Sequence, residues 1–166
     1  MALSRQGLPN LAASSPEIVL KGAYICDDCD GAPDLILVAT GSEVSLSMEA
    51  KAKMPAVNVR VVSMPCVEFF EAQPIEYKRS ILPEGSPVMS VEASSTSGWD
   101  RYSHAQFGMT TFGASGKGGD CLNKFGFTPD KVAGQGQRVI DFYKGKSPHS
   151  VVDRCIVNEI IGGPGH

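Results

Sequence analysis

The sequence predicts an α/β fold built on a parallel sheet, and two observations support that prediction. Residues 35–39 are five consecutive apolar residues, bounded by Pro33 before and by Thr40 and Gly41 after. Such a short run is typical of a strand that is covered on both faces. Strand-like and helix-like segments then alternate as far as residue 93 with short connections, and this order builds parallel sheets through right-handed crossovers.

The first helix follows this opening strand. Gly41 permits a tight exit from the strand and Ser42 is a candidate N-cap. Glu43 places a negative charge in the first turn, where the helix dipole favours it. Good helix formers follow, and Pro55 ends the helix because proline donates no backbone hydrogen bond.

The next segments continue the alternation. β-branched residues predict a strand over residues 57–64. Pro74 lies at the start of a helix predicted over residues 73–82, and residues 87–93 form the following strand. Ahead of all these, residues 22–25 predict a short edge strand.

The C-terminal third is predicted to be helical with one long loop. We expect a helix over residues 100–107. A loop over residues 108–119 is indicated by five glycines in twelve residues, since glycine visits conformations that other residues avoid. Two helices follow over residues 120–125 and 129–143, the second with Thr128 as its N-cap.

Three regions are expected along the chain. Residues 1–22 are a linker and the end of a preceding domain, and residues 23–144 are one α/β domain. Residues 145–166 are a tail, either helical or disordered. Its amphipathic residues are Val151, Val152, Cys155, Ile156 and Ile160.

Composition excludes several classes of protein. The net charge of −3, with Lys and Arg scattered, is unlike the basic patch of a nucleic-acid binder. No apolar run approaches the roughly 18–20 residues that cross a bilayer, and the start of the chain lacks signal-peptide features. We expect a soluble, intracellular protein whose five cysteines are reduced and form no disulfide framework.

Two local patterns could bind a metal or carry chemistry, but each has a simpler interpretation. Cys26 and Cys29 have the two-residue spacing of zinc and redox sites, yet no second pair supplies the other ligands, so two thiols in a surface turn are favoured. His104 is a candidate catalytic histidine beside a nucleophile, and a histidine on a helix surface or one satisfied in the core is favoured over that role. No metal ligand set is predicted.

Phosphate-binding signatures are also incomplete. Gly41 stands at a strand-to-helix turn, but the dinucleotide fingerprint is missing and Glu43 would repel a phosphate. Lys117 lies among glycines without the spacing of a phosphate-binding loop, because Gly118 follows it. Arg5 is the one charged residue in an unusual setting, where its guanidinium could meet a phosphate or a carboxylate.

Several segments, taken in order, resemble the C-terminal part of transketolases. As a set they are highly specific, and they cover residues 2 to about 144. The segments are 2–9 (ALSRQGLP), 36–44 (ILVATGSEV), 60–65 (RVVSMP), 73–77 (QPIEY), 80–83 (SILP), 112–116 (FGASG) and 125–129 (FGFTP).

The resemblance implies a three-layer sandwich whose five-stranded, mostly parallel sheet has one antiparallel edge strand. It implies transfer of a two-carbon ketol unit from a ketose phosphate to an aldose phosphate, in the pentose phosphate pathway, by a cytoplasmic homodimer. Thiamine diphosphate and Mg or Ca would bind to preceding domains, since the family's Gly-Asp-Gly motif is absent and Gly119-Asp120 continues with Cys121.

The same resemblance gives Arg5 the role of the arginine that contacts the sugar phosphate, at the end of the preceding pyrimidine-binding domain. No catalytic, cofactor-binding or metal-binding residue is expected, and the chain alone should be inactive. Two alternatives remain: a non-catalytic dimerisation or regulatory module derived from a transketolase, and the same domain of a dihydroxyacetone synthase.

Overall fold

The computed structural model describes residues 7–154. These residues form one five-stranded sheet in the order β1-β3-β2-β4-β5, in which β1 is antiparallel to β3 and all other neighbours are parallel. The predicted α/β fold class is confirmed. The strands are β1 (Tyr24–Asp27), β2 (Leu35–Ala39), β3 (Val59–Ser63), β4 (Val88–Ser95) and β5 (Ala105–Met109). The helices are α1 (Pro16–Val19), α2 (Ser42–Ala52), α3 (Val67–Glu71), α4 (Ile75–Ile81), α5 (Gly118–Phe125) and α6 (Pro129–Tyr143).

Strand β2 lies at the centre of the sheet because its apolar run is buried on both faces. All five of its residues are buried, and it pairs in parallel with β3 on one side and β4 on the other. Leu35 and Leu37 face the layer that holds α2 and α6, while Ile36 and Val38 face the opposite layer. This alternation gives the sandwich three layers and two core clusters.

The second core cluster lies on the face covered by α3, α4 and a 3-10 turn (Trp99–Arg101). It includes Phe70 from α3, Ile81 from α4 and Val151 from the end of the described chain. We call residues 145–154 the strap, because they run as an irregular segment without helix or strand and reach this cluster. The other amphipathic tail residues, Cys155, Ile156 and Ile160, lie outside the described residues.

Gly136 explains why α6 can approach β2 closely. A Cβ at this position would come within 2.8 Å of Leu35 Cδ2, a fully buried side chain of β2. The glycine lowers helix propensity by about 1 kcal/mol relative to alanine. Its absent side chain instead lets the helix pack on the central strand.

The segment after β4 corrects one prediction. Residues 100–107 were expected to be a helix, but they contain the last two residues of the 3-10 turn and the first three of β5. The pairing of β4 with β5, from Met89 opposite Ala105 to Glu92 opposite Gly108, supplies hydrogen bonds that outweigh local propensity. The glycine-rich loop is accordingly shorter than predicted, since β5 takes its first residues and α5 takes Gly118 and Gly119.

The N-cap of α2 corrects a second prediction. Gly41, and not Ser42, is the N-cap residue, and Ser42 is the first residue of the helix. The backbone of Gly41 has φ +54°, a left-handed conformation that favours glycine. Helices α1 and α3 are short elements that the sequence did not predict. Within residues 7–154, no helix is long and apolar enough to cross a membrane.

Candidate functional site at the carboxyl edge of the sheet

The strand order creates a crevice at the carboxyl ends of β2 and β4. From β2 the chain runs to β3 on one side of the sheet, and it later returns to β4 on the other side. Open α/β sheets bind ligands at such a switch point, outside the carboxyl ends of the strands. This edge is therefore the place where the fold favours a binding site.

Glu43 brings a buried carboxylate to this edge from the first turn of α2. Its side chain is held locally: the residue is only 7 % exposed, and Ser42 Oγ donates a hydrogen bond of 2.8 Å to Glu43 Oε2. Ser47 Oγ donates to the Glu43 carbonyl oxygen, also at 2.8 Å. The turn that begins α2 thus positions the carboxylate at the mouth of the crevice.

Thr40 and Glu92 connect the ends of the two strands. Thr40 directly follows β2 and Glu92 lies near the end of β4, and Thr40 Oγ1 donates a 2.5 Å hydrogen bond to Glu92 Oε2. Burial raises the pKa of Glu92, and the negative charge of Glu43 raises it further, while the Thr40 bond partly offsets both effects. Removal from water disfavours the charged form of a carboxyl group, which is the physical cause.

A pocket of about 330 Å³ opens beside these carboxylates. The start of α2 lines it on one side, and the glycine-rich loop and α5 line it on the other. Cys121 contributes its thiol, which donates to the Ala114 carbonyl oxygen at 3.5 Å. The pocket lining is Ser42, Glu43, Ala93, Met109, Gly113, Ala114, Gly118, Cys121, Leu122, Phe125 and Phe127.

The chemistry of this pocket is acidic and apolar. No lysine or arginine of the described chain lines it, so the carboxylate of Glu43 would repel a phosphate or diphosphate. Across residues 7–154, no group of three or more His, Cys, Asp or Glu side chains converges on one point. The described part of the chain thus presents a carboxylate-lined crevice in which the hydroxyls of Ser42 and Thr40 donate to the carboxylates of Glu43 and Glu92.

His104 is satisfied by backbone groups, as the sequence favoured. Its Nδ1 accepts a 3.0 Å hydrogen bond from the Val88 N–H, and its Nε2 lies 2.9 Å from the His149 carbonyl oxygen. Burial lowers the pKa of His104. The ring therefore holds the strap to the start of β4.

The two cysteines of the Cys26-x-x-Cys29 pattern have different settings. Cys26 belongs to β1, while Cys29 lies in the turn that follows. Burial raises the pKa of both thiols, which lowers the thiolate fraction and hence the nucleophilic reactivity of both. Arg5, the predicted phosphate-contacting residue, lies outside the described residues, and its role stays a prediction.

Sequence reasoning missed the Thr40–Glu92 contact. A signal was present, because each residue follows an apolar strand segment and the carboxyl ends of neighbouring parallel strands meet at one sheet edge. Finding it required the strand order, which the sequence alone did not supply.

Comparison with known proteins gives one consistent result. The family model described as "Transketolase-like TK C-terminal domain" matches residues 22–128. Transketolase 1 of Saccharomyces cerevisiae is 52 % identical over 147 residues, which are 87 % of this chain and 22 % of that protein. Transketolase 1 of Candida albicans is 47 % identical over 157 residues, which are 93 % of this chain and 23 % of that protein.

Solved structures agree with these relatives. The transketolase of Pichia stipitis in complex with sedoheptulose-7-phosphate superimposes with a TM-score of 0.86 and 45 % identity, over 92 % of this chain and 23 % of that one. The transketolase of Leishmania mexicana gives a TM-score of 0.79 and 45 % identity, over 84 % of this chain and 21 % of that one.

The sheet order and these matches define an α/β domain of the kind found at the C-terminal end of transketolase-like enzymes. The chain belongs to the transketolase family. It spans about 22 % of the length of the Saccharomyces cerevisiae relative.

Proposed function

We propose that this chain is the C-terminal part of a transketolase, a transferase that moves a two-carbon ketol unit from a ketose phosphate to an aldose phosphate in the pentose phosphate pathway. The observation that supports this most strongly is the 52 % identity to Transketolase 1 of Saccharomyces cerevisiae over 87 % of the chain. The matched Pichia stipitis transketolase was crystallised with a sugar phosphate, which favours the same class of substrate.

The family implies thiamine diphosphate and Mg or Ca as cofactors. Residues 7–154 do not provide side chains suited to binding either of them. The carboxyl-edge pocket offers a carboxylate and no cation to a diphosphate, and no three-residue metal cluster occurs in the described chain. We infer that the preceding domains hold the cofactor and the metal. The enzyme would act as a homodimer in the cytoplasm, and this chain alone would be inactive.

A chimeric enzyme tests the proposal. The segment of Saccharomyces cerevisiae Transketolase 1 that matches this chain is replaced by residues 1–166, and ketol transfer is measured with thiamine diphosphate and magnesium. We expect a dimeric, active chimera and no activity from the 166-residue chain by itself. A dimeric chimera that binds the cofactor without turnover would favour the non-catalytic module, and ketol transfer by the isolated chain would overturn the proposal.

Arg5 gives the proposal its only residue-level prediction for substrate binding. In the chimera, Arg5→Ala should reduce kcat/KM for a phosphorylated ketose roughly tenfold or more, because a charge-assisted pair with the phosphate is lost. Donors without a phosphate should be affected much less. Arg5→Lys, which keeps the charge and loses the planar fork of donors, should fall between the two. Equal losses for both kinds of donor would contradict the role.

A further inference from the structure

The strap is fastened to the domain at several points along its length. Val151 is buried in the second core cluster, and Val152 packs against that cluster. Asp153 pairs with Arg79 on α4, with 2.6 Å between Oδ1 and Nη2. Arg154 Nη2 donates to the Asp100 carbonyl oxygen at 3.1 Å. The strap therefore ties α4 and the 3-10 turn together.

His104 makes the one strap contact that depends on a titratable ring with a fixed tautomer. A carbonyl oxygen only accepts, so Nε2 must carry a hydrogen and donate to His149 O. The Val88 N–H only donates, so Nδ1 must be bare to accept from it. Both contacts are satisfied together only by the neutral imidazole.

A second proton would have to sit on Nδ1, where it would face the Val88 N–H. Two donors would then point at each other across 3.0 Å, and a charge would appear on a half-buried ring that has no ion-pair partner among residues 7–154. To relieve this, the ring must turn away, and Nε2 then leaves the His149 carbonyl.

We propose that the strap is a pH-sensitive latch: neutral His104 holds residues 145–154 on the domain, and protonation of His104 releases them. This latch concerns the fold of the domain and is independent of the proposed ketol-transfer role. Release would withdraw Val151 from the second core cluster and uncover apolar surface beside α4.

The groups that face His104 disfavour its protonation. The His149 ring of the strap lies 5.0 Å from the His104 ring and the Tyr143 ring of α6 lies 5.6 Å away. Arg154 of the strap adds a positive charge, and Arg138 of α6 lines the same cavity as His104. Among the described residues, no carboxylate forms an ion pair with His104.

The direction of the pKa shift sets the pH window. Burial lowers the pKa of His104, and the charges of His149 and Arg154 lower it further, against the opposing effect of the His149 carbonyl. The latched state therefore binds the proton less well than the released state. The latch is at full strength above the ordinary histidine pKa of about 6.5, and it weakens as pH falls below that value.

Proton NMR of the full 166-residue chain, with nitrogen labelling, tests the latch directly. We expect the His104 ring to titrate below about pH 6.5. The amides of Val88, Val152 and Asp153 should shift with the same midpoint. One pH unit below the ordinary histidine pKa, the ratio of latched to released chain should have fallen by up to about tenfold. Titration of the ring with the strap amides unchanged would overturn the proposal.

Two matched variants show which histidine causes the effect. The readout is the fluorescence emission of Trp99, the single tryptophan of the chain. Trp99 packs against the same core cluster as Val152 and should therefore report release of the strap. His104→Gln has an amide that does not titrate in this range, so its emission should be independent of pH. His149→Gln keeps the backbone carbonyl that accepts the hydrogen bond, so it should retain the transition. Loss of the transition in His149→Gln, or its persistence in a folded His104→Gln, would refute the latch. Should His104→Gln not fold, the wild-type titration still decides.

Discussion

The two edges of the sheet differ in whether their ionisable side chains form ion pairs. At the β1 edge (residues 22–34), acidic side chains meet cations: Lys51 Nζ lies 2.5 Å from Asp27 Oδ1, and Arg60 Nε lies 2.7 Å from Asp28 Oδ1. At the β5 edge (residues 88–109), Glu92 and His104 are half-buried and form no ion pair with any of residues 7–154. Burial raises the pKa of Glu92 and lowers that of His104.

The difference predicts which solution condition each edge senses. Burial alone would raise the pKa of Asp28, but the hydrogen bonds and charges of Arg60 and Lys51 bring it below its ordinary value. Paired, partly exposed charges are screened by salt. Half-buried groups without counter-charges respond instead to pH, because only the neutral form fits well. The β1 edge should therefore weaken with salt, and above the ordinary aspartate pKa of about 3.9 the β5 edge should be the one that changes with pH.

The largest expected effect on stability comes from substituting Gly22. At this position the β1 edge is held by close backbone contact and not by an ion pair. Gly22→Ala should destabilise the fold by at least about 3 kcal/mol. The new Cβ would lie 2.1 Å from the Phe70 nitrogen and 2.4 Å from the Cys66 carbonyl oxygen, at a backbone φ of +85°.

Chemical denaturation of Gly22→Ala measures this cost against a matched variant. Gly31 also has a positive φ, +78°, but nothing within 4 Å of an added Cβ. Gly31→Ala should therefore cost only the backbone strain, about 1 kcal/mol. Similar losses in both variants would show that close contact with α3 does not hold this edge.

Arg60 should give the next largest effect and should show the salt dependence. Its side chain is 12 % exposed, and besides Asp28 it donates to the carbonyl oxygens of Ser80 and Ile81 at the end of α4. Arg60→Ala should cost about 2 kcal/mol at low salt, because these charge-assisted bonds are lost. The cost should shrink in about 0.5 M salt, where wild-type pairing is screened.

Lys53→Gln is the control for Arg60, since it removes an exposed pair. Lys53 Nζ lies 3.1 Å from Asp130 Oδ1, with 53 % and 77 % of the two side chains exposed. Its loss should cost less than about 1 kcal/mol. If Arg60→Ala costs no more than this control, the β1 edge does not rely on its ion pairs.

Glu92 should give the smallest effect, and of opposite sign. Because burial raises its pKa, the wild-type fold loses stability as pH rises above the ordinary glutamate value of about 4.3. Glu92→Gln removes that loss and should stabilise the chain at neutral pH by less than about 1 kcal/mol, since the side chain keeps contact with solvent. Near pH 4 the two proteins should be alike.

Denaturation midpoints at acidic and neutral pH check this prediction, with Glu49→Gln on the exposed surface of α2 as the control. A stabilisation of the same size in the control would mean that the effect is not specific to Glu92. A destabilised Glu92→Gln at neutral pH would mean that the Thr40 hydrogen bond outweighs burial, and Glu92 would then not contribute to the pH sensitivity of the β5 edge in the way expected here.

The same two edges show how far the sequence could be interpreted. The β1 edge strand was predicted from its local residues, and the central strand from its apolar run. Strand β5 was missed because Ala-Gln-Phe-Gly-Met has no β-branched residue and contains a glycine, although its apolar residues alternate with Gln106 and Gly108. Gly108 within it would crowd Thr96 Cγ2 at 2.9 Å if it carried a Cβ. Its place in a strand follows from pairing with β4, which only the folded chain supplies.

The candidate site likewise combines features that local sequence predicts with features that depend on the tertiary fold. Glu43 was visible as a first-turn acid, whereas its nearness to Glu92 depends on which strands are neighbours. Arg5 was reached only through resemblance to a family and stays a prediction. The strap contact of His104 spans 45 residues of sequence, and no local pattern predicts a bond of that kind.

Strand β5 has a further consequence, for the behaviour of the protein at high concentration. It borders the sheet on one side with the residues Ala-Gln-Phe-Gly-Met, none of them charged, whereas β1 carries an aspartate that is paired with a lysine. Charges on an outer strand deter other chains from adding to the sheet. Edge-to-edge aggregation between copies would therefore begin at β5. A single lysine in this strand would be the simplest way to keep the protein monodisperse.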